Sequence, residues 1–291
     1  MATLSLDTAR VRKVTPTKLR WFLHNPKSVA SIGYLILLAI IGALAPWITP
    51  YNPNDLELSN IMAAPSAAHW LGTDDLGRDV VSRLMAAAGP SMFASFLAVS
   101  IGMSLGVPIG LIAGYAGGWA DTVISRVLDA MLSFPAIVFA VGVVGVLGPG
   151  LVHGMLAVGI LMLPGFARLV RATTLVVKQE LYVDAIRAFG ATPLRIITRH
   201  VLPNAVQSAV VNAGLLLAVA LLAESSLSYL GLGVQPPASS WGGMLARAYN
   251  YMEVAPEQMY APGFAILVTA LAFNGLGETV RLALDPRGPK R

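Results

Sequence analysis

Histidine is the side chain best suited to proton transfer or metal ligation at neutral pH, and this chain has four: His24, His69, His153 and His200. They lie far apart, and none sits in a His-Glu-x-x-His spacing. Ser225 and Ser226 have no histidine on the same helix and no Gly-x-Ser-x-Gly setting, so no nucleophile for hydrolysis is in place. The absence of cysteine removes disulfides, zinc–thiolate sites and thiol catalysis. There is no Gly-x-x-x-x-Gly-Lys-Ser/Thr loop to cradle phosphates, so any energy from ATP must enter through a partner. The sequence thus predicts no enzyme, no resident metal and no cofactor in this chain. One acid stands out instead. Glu224 follows nineteen mostly apolar residues, and an ionisable group at membrane depth is costly unless it faces water or a partner. Either Glu224, with Ser225 beside it, lines a solute path or outer gate, or it is hydrated at the outer interface. Gln207 and Asn212, further back on that helix, suit helix-to-helix hydrogen bonds, and Glu278 and Arg281 suit a local ion pair.

A second group of polar residues forms an island, KQELYVDAIRAFGATPLRIITRHVLPN, over 178–204. Leu181, Ala185, Ile186 and Phe189 fall at helical spacing on one face, while Asp184 and Arg187 point elsewhere. Gly190 breaks that first short helix. Thr192-Pro193 then restarts one, with a hydroxyl N-cap before a proline at the first helical position. Leu194, Ile196, Ile197 and Val201 make the next apolar face, and Leu202-Pro203 is expected to end it, since proline disfavours helix in the residue before it. Such an island between long apolar runs has no reason to exist unless something soluble docks on it.

The elements holding these residues are membrane crossings. Of the 291 residues, 56% are hydrophobic and 12% charged, too apolar for an ordinary soluble domain. Apolar runs at roughly 29–48, 91–114, 130–147, 151–167, 205–224 and 262–280 each approach the ~20 residues that a spanning helix needs. Six crossings put both termini on one side. All of the 20 basic residues except Arg78, Arg83 and Arg247 lie in the tails, the 115–129 loop or the 168–204 segment. The positive-inside rule therefore makes the termini and the island cytoplasmic. The net charge of +5 reads as topology, and no nucleic-acid partner is needed to explain it. Residues 1–45 have signal-like features ending in Ala43-Leu44-Ala45, but Pro46 disfavours cleavage, and a retained anchor helix is the better reading.

The chain divides into a basic tail with an interfacial elbow helix over 1–28, a first crossing over 29–48, an outer loop over 49–90 and a five-crossing core over 91–291. In the outer loop Asp75, Asp79 and Arg83 are spaced i, i+4, i+8, which suits a solvated helical face. Gly102, Gly106, Gly110 and Gly114 form a ladder that lets two membrane helices approach backbone to backbone, with the partner helix in this chain or in another subunit. Pro108, Pro135 and Pro164 sit within or near crossings and suit helix kinks, around a central path or in ordinary packing.

The island resembles the cytoplasmic coupling loop of permease subunits in binding-protein-dependent ABC importers: Glu-Ala-Ala, three residues, Gly, nine residues, then Ile-x-Leu-Pro. Asp184, Ala185 and Ile186 stand for the opening triplet, Gly190 for the glycine, and Leu202-Pro203 for the close. Aspartate replaces glutamate, Ile186 the second alanine, and His200 the usual isoleucine. The strings LGTDDLGRDVVSRL (71–84), ESSLSYLGLG (224–233), VQPPASSWGGML (234–245), RHVLPN (199–204) and LDPR (284–287) resemble the dipeptide and oligopeptide branch, of the C-subunit type. The likeness runs over about 20–288, nearly the whole chain. It implies an all-α, MetI-like fold of six transmembrane helices in a bacterial or archaeal plasma (inner) membrane. It implies a complex in the lipid bilayer with a second, homologous permease, two ABC ATPase subunits or a fused pair, and an extracytoplasmic solute-binding protein. ATP and Mg would be held by the ATPases. Asp184, Ala185, Arg187, Gly190, Arg199, Leu202 and Pro203 would couple to them, and the 71–84 string would help to close the outer mouth. The substrates implied are short peptides, with nickel, glutathione or opines as neighbours within the class. A self-contained secondary transporter would be expected to carry several intramembrane acids or broken helices, whereas Glu224 is nearly alone; an intramembrane hydrolase lacks a catalytic group.

Overall fold

The computed structural model of the chain describes residues 25–284, which are all-helical apart from a lone bridge between Thr73 and Asp79. The tail in which the sequence predicts an elbow helix lies outside the described residues up to 24, as do 285–291, which hold most of LDPR. Among the described residues, five helical stretches are long and apolar enough to cross a membrane, and a bent pair can supply a sixth.

Helix α1 (Pro26–Ile48) starts on an Asn25 cap, whose side chain accepts from Lys27 N, with Pro26 in the first turn. It lies against α10 (Tyr260–Leu284) through hydroxyl pairs, Ser28 with Thr279 at 2.9 Å and Tyr34 with Thr269 at 3.0 Å. Helix α2 (Val80–Ala116) begins well before the apolar run at 91, because Asp79 caps it by accepting from Ser82 N. At 37 residues it is about 55 Å long against a ~30 Å hydrocarbon core, so it overhangs the bilayer. The overhang carries Ser82 and Arg83, which hydropathy assigned to a loop.

The third apolar run is not one straight helix. Helix α3 (Gly118–Leu132) and α4 (Ala136–Leu147) meet at 87°, broken at Pro135, which disfavours helix at Phe134. Helix α5 (Leu151–Val177) then packs along α2 at the glycine ladder. A Cβ at Gly102, Gly106, Gly110 or Gly114 would come within 2.4–2.8 Å of α5 atoms: Met162 Cβ, Phe166 Cβ, Ala167 O and Thr174 Cβ respectively. The partner of the ladder is thus this chain's own helix. Gly159 repeats the device from the α5 side, against Ala98 O and Ile101.

After α5 come α6 (Leu181–Ala188) and α7 (Pro193–Ile196). The chain does not stop at Leu202-Pro203. A π turn over Ile197–Val201 leads directly into α8 (Leu202–Tyr229), so Pro193–Tyr229 is a single 37-residue helical rod. Proline is tolerated because the ladder has already opened by one residue: Leu202 N bonds Ile197 O, five back, which relieves the clash that Pro203 would make in a regular turn. The short helix α9 (Trp241–Asn250) folds back on the far end of α8 before α10 closes the bundle. Helices α8 and α10 cross at Gly214 and Gly277, where an added Cβ at Gly214 would sit 2.3 Å from Gly277 Cα.

Candidate functional site

Chemistry concentrates at the two ends of the bundle, and the rod from Pro193 to Tyr229 joins them. At the basic end, α6 and α7 form an elbow. Gly190 takes φ +81° after Phe189, and Gly190 N and Ala191 N bond Arg187 O and Ile186 O at 3.0 and 3.3 Å. That pattern satisfies the last carbonyls of α6 as a left-handed cap does. The Thr192 hydroxyl accepts from Arg195 N to restart helix at Pro193. Val183, Ile196 and Val201 are buried, and Ile186 leans in with them. Each of the two faces read from spacing is divided: Leu181 and Phe189 of the first and Leu194 of the second are turned outward, at 86%, 90% and 71% exposure. The inward register starts at Val183, because α6 rests on its neighbours through 183 and 186 rather than through 181, 185 and 189.

Asp184 and Arg187, read as simply pointing away, pair with each other at 2.9 Å on the exposed side, where Ala185 and Arg199 are also exposed. Leu202 is half-buried and Pro203 exposed inside the rod. The rings of Tyr182 and His200 lie 6.1 Å apart, which ties α6 to the π turn. Ion pairs brace the same end: Asp129 with Arg168 at 2.6 Å, and Asp121 with the Arg171 guanidinium, while Lys178 Nζ donates to Gly114 O and Tyr115 O. Spacing gave no sign of them, since each pair joins helices about 40 to 50 residues apart in the chain.

At the acidic end Glu224 is 1% exposed. Its carboxylate accepts from Ser228 Oγ at 2.6 Å and Ser225 Oγ at 3.5 Å. Glu224 and Ser225 are therefore both buried within the subunit in this conformation. The cause is α9. Gly242 lies so close to Ser225 that a Cβ there would be 2.4 Å from Ser225 O. Trp241, 1% exposed, donates from Nε1 to Leu84 O at 3.1 Å. Helix α9 is thus a clip joining the end of α8 to the start of α2.

Asp75, Asp79 and Arg83 do not form a solvated face. Asp79 is the α2 cap and binds His69 Nδ1 at 3.0 Å. Arg83, 3% exposed, donates to Pro53 O at 2.9 Å and faces Asp74 at 3.5 Å. Asp74 accepts from Leu76 N and Arg78 N across the turn at Gly77, and from Arg78 Nε at 2.7 Å. Asp75 accepts from Arg247 Nη1 of α9 at 3.2 Å. The i, i+4 count failed here because the helix begins only after Asp79. Among the described residues no group of three His, Asp or Glu is placed to hold a metal ion.

The fold is that of a multi-pass, all-helical membrane protein with a short helical elbow at one end. The chain belongs to the family of binding-protein-dependent transport system inner membrane components, whose model matches residues 106–288. Residues 16–65 match the N-terminal TM domain of oligopeptide transport permease C. It is therefore an ABC importer permease of the inner membrane. The glutathione transport system permease protein GsiD of Shigella flexneri serotype 5b (strain 8401) is 44% identical over 92% of this chain and 89% of its own length. That of Escherichia coli O6:K15:H31 (strain 536 / UPEC) is 42% identical over the same shares. A chain of the inward-facing MetNI methionine ABC transporter superposes with TM-score 0.56 at 18% identity, covering 70% of this chain and 98% of that one, which supports the MetI-like fold alone.

Proposed function

We propose that this permease carries short peptides inward, and that it is driven by ATPase subunits that dock on the α6–α7 elbow from the cytoplasm. One observation carries the reading. The elbow exposes Leu181, Phe189 and Leu194 at one end of a continuous rod whose other end holds Glu224 against the α9 clip. Exposed apolar side chains on an otherwise charged segment suit a partner groove. A rod of 37 residues passes displacement along about 55 Å without catalysis in this chain. The peptide class rests on the oligopeptide permease C match and on relatives named for glutathione, itself a tripeptide. The complex comprises a second permease, two ATPases that hold ATP and Mg, and a solute-binding protein outside, with the elbow and both termini cytoplasmic. The test is ATP-dependent uptake of labelled glutathione and of a dipeptide panel into proteoliposomes holding the whole importer and its binding protein. Phe189→Asp with Leu194→Asp should abolish uptake while the complex's membrane insertion is retained. Uptake of none of these peptides by the unmutated importer would overturn the substrate reading.

A further inference from the structure

Between the end of α8, the 230–240 loop and α9 lies a polar cavity of about 300 Å³, whose walls include Asp75, Arg83, Gln235, Arg247, Asn250 and Tyr251. Two guanidiniums, of Arg83 and Arg247, and one carboxylate, Asp75, stand in these walls, with the Asp74–Arg78 pair in contact behind them. Asp79 is turned away onto His69 and the start of α2. The guanidiniums in the walls thus outnumber the one carboxylate there, while Glu224 lies behind Ser228 of the wall. Arg78 and Arg83 are each held internally, by Asp74 and by Pro53 O with Asp74. Arg247 is different. Its side chain is 35% exposed, and among the described residues its hydrogen bonding is a single 3.2 Å contact to Asp75. Asn250 and Tyr251 follow three and four residues on, at neighbouring positions around the end of α9. Neither side chain makes a hydrogen bond among the described residues.

A guanidinium with spare donors, with an amide and a phenol on the same wall, recognises a carboxylate. We propose that this cavity binds the terminal carboxylate of a short peptide, an inference that rests on the peptide-import reading. Its size is at the lower end of small-ligand pockets, which suits one end of a peptide, the rest extending through the mouth.

The test uses the whole importer in nanodiscs without its binding protein, titrated by calorimetry with Ala-Ala and with Ala-Ala amide. The free acid should bind, and the amide about ten-fold more weakly. Arg247→Gln should weaken the free acid about as much, and Asn250→Ala a few-fold with the Asp75 pair intact. Because Arg247→Gln also strips Asp75 of its partner, the double variant Asp75→Asn/Arg247→Gln separates the roles. A carboxylate site stays weak in the double variant, whereas a purely structural pair recovers. Equal binding of acid and amide, recovery in the double variant, no binding to the unmutated complex, or an Arg247 effect confined to binding-protein docking would each overturn the proposal. Peptide uptake run in parallel, with the binding protein present, keeps the two readings apart. Uptake without direct peptide binding sinks the cavity alone, and absence of uptake sinks the import reading.

Discussion

Gly190 offers a test in which backbone geometry and docking bulk separate. It sits at φ +81°, and a Cβ built there meets nothing within 4 Å. A side chain at 190 therefore acts through the sign of φ and through what it presents outward, since nothing among the described residues is struck. Holding an ordinary L-residue in the left-handed region costs roughly 1–2 kcal/mol, and asparagine tolerates it better. That cost lowers the population of the elbow by a factor of roughly 5–30, and the rest of the fold is untouched because Gly190 is exposed. Tryptophan adds bulk beside Phe189 and Leu194, the two most outward apolar groups of the elbow after α6. In proteoliposomes, ATP-driven uptake per unit of membrane-inserted complex should fall in the order Gly190→Asn, Gly190→Ala, Gly190→Trp, with the last near zero. ATP hydrolysis is measured alongside, since a failed lever uncouples the two rates. Normal uptake by Gly190→Trp would remove the lever role of this segment. An asparagine variant as impaired as the alanine one would remove the backbone argument.

Gly110→Ala should destabilise the α2–α5 pairing by about 1–3 kcal/mol, the usual range for overpacking, since the new methyl would lie 2.4 Å from Ala167 O; the melting temperature in detergent should drop, while Gly142→Ala, which meets nothing within 4 Å, should leave it unchanged. Trp241→Ala empties the clip and forfeits the bond to Leu84 O, with an expected loss of about 3–5 kcal/mol, read as earlier thermal unfolding and faster proteolysis in the 230–260 region. Asp74→Ala leaves the Arg78 guanidinium, 4% exposed, without its main partner; breaking a buried pair from one side costs about 3–5 kcal/mol, so a variant that expresses and melts like the parent would show the pair to be dispensable.

The crossings and the island were legible because hydropathy, proline, glycine and capping signals are local. The Gly190 break, the Thr192-Pro193 restart and the Glu278–Arg281 pair all follow from residues within a few positions of one another. What failed depended on the third dimension. Asp79 looks like the middle of an i, i+4 series, but its side chain accepts from Ser82 N and so begins the helix. Leu181 and Phe189 are as apolar as Val183, and only tertiary contact decides which of them turns inward. Nor does an acid at the end of an apolar run announce whether water or serine hydroxyls will meet it. The partners of Glu224 include Ser225 and Ser228 in its own string, while Gly242, which packs on the Ser225 backbone, comes from the next string along.

The π turn at Ile197–Val201 is where these local signals and the architecture conflict most directly. Proline after a short amphipathic helix reads as a stop, and a stop would leave α7 hinged to the fifth crossing by a flexible joint. A hinge absorbs displacement, whereas a helix transmits it. By widening one turn ahead of Pro203, the chain keeps the rod continuous through the position where proline would have broken it. The remaining compliance is then confined to Gly190 at one end and to the clip of α9 on α8 at the other. A displacement at Leu194 has no soft segment of the rod in which to dissipate before it reaches Glu224. Relaxing the π turn into a regular one should therefore keep the rod continuous but rotate its two ends relative to each other. Replacing Pro203 by alanine, which lets a regular turn form, should shift the register between elbow and crossing and lower uptake per ATP hydrolysed, at unchanged membrane content. Unaltered coupling in that variant would show that the rod's continuity, and not its register, is what counts.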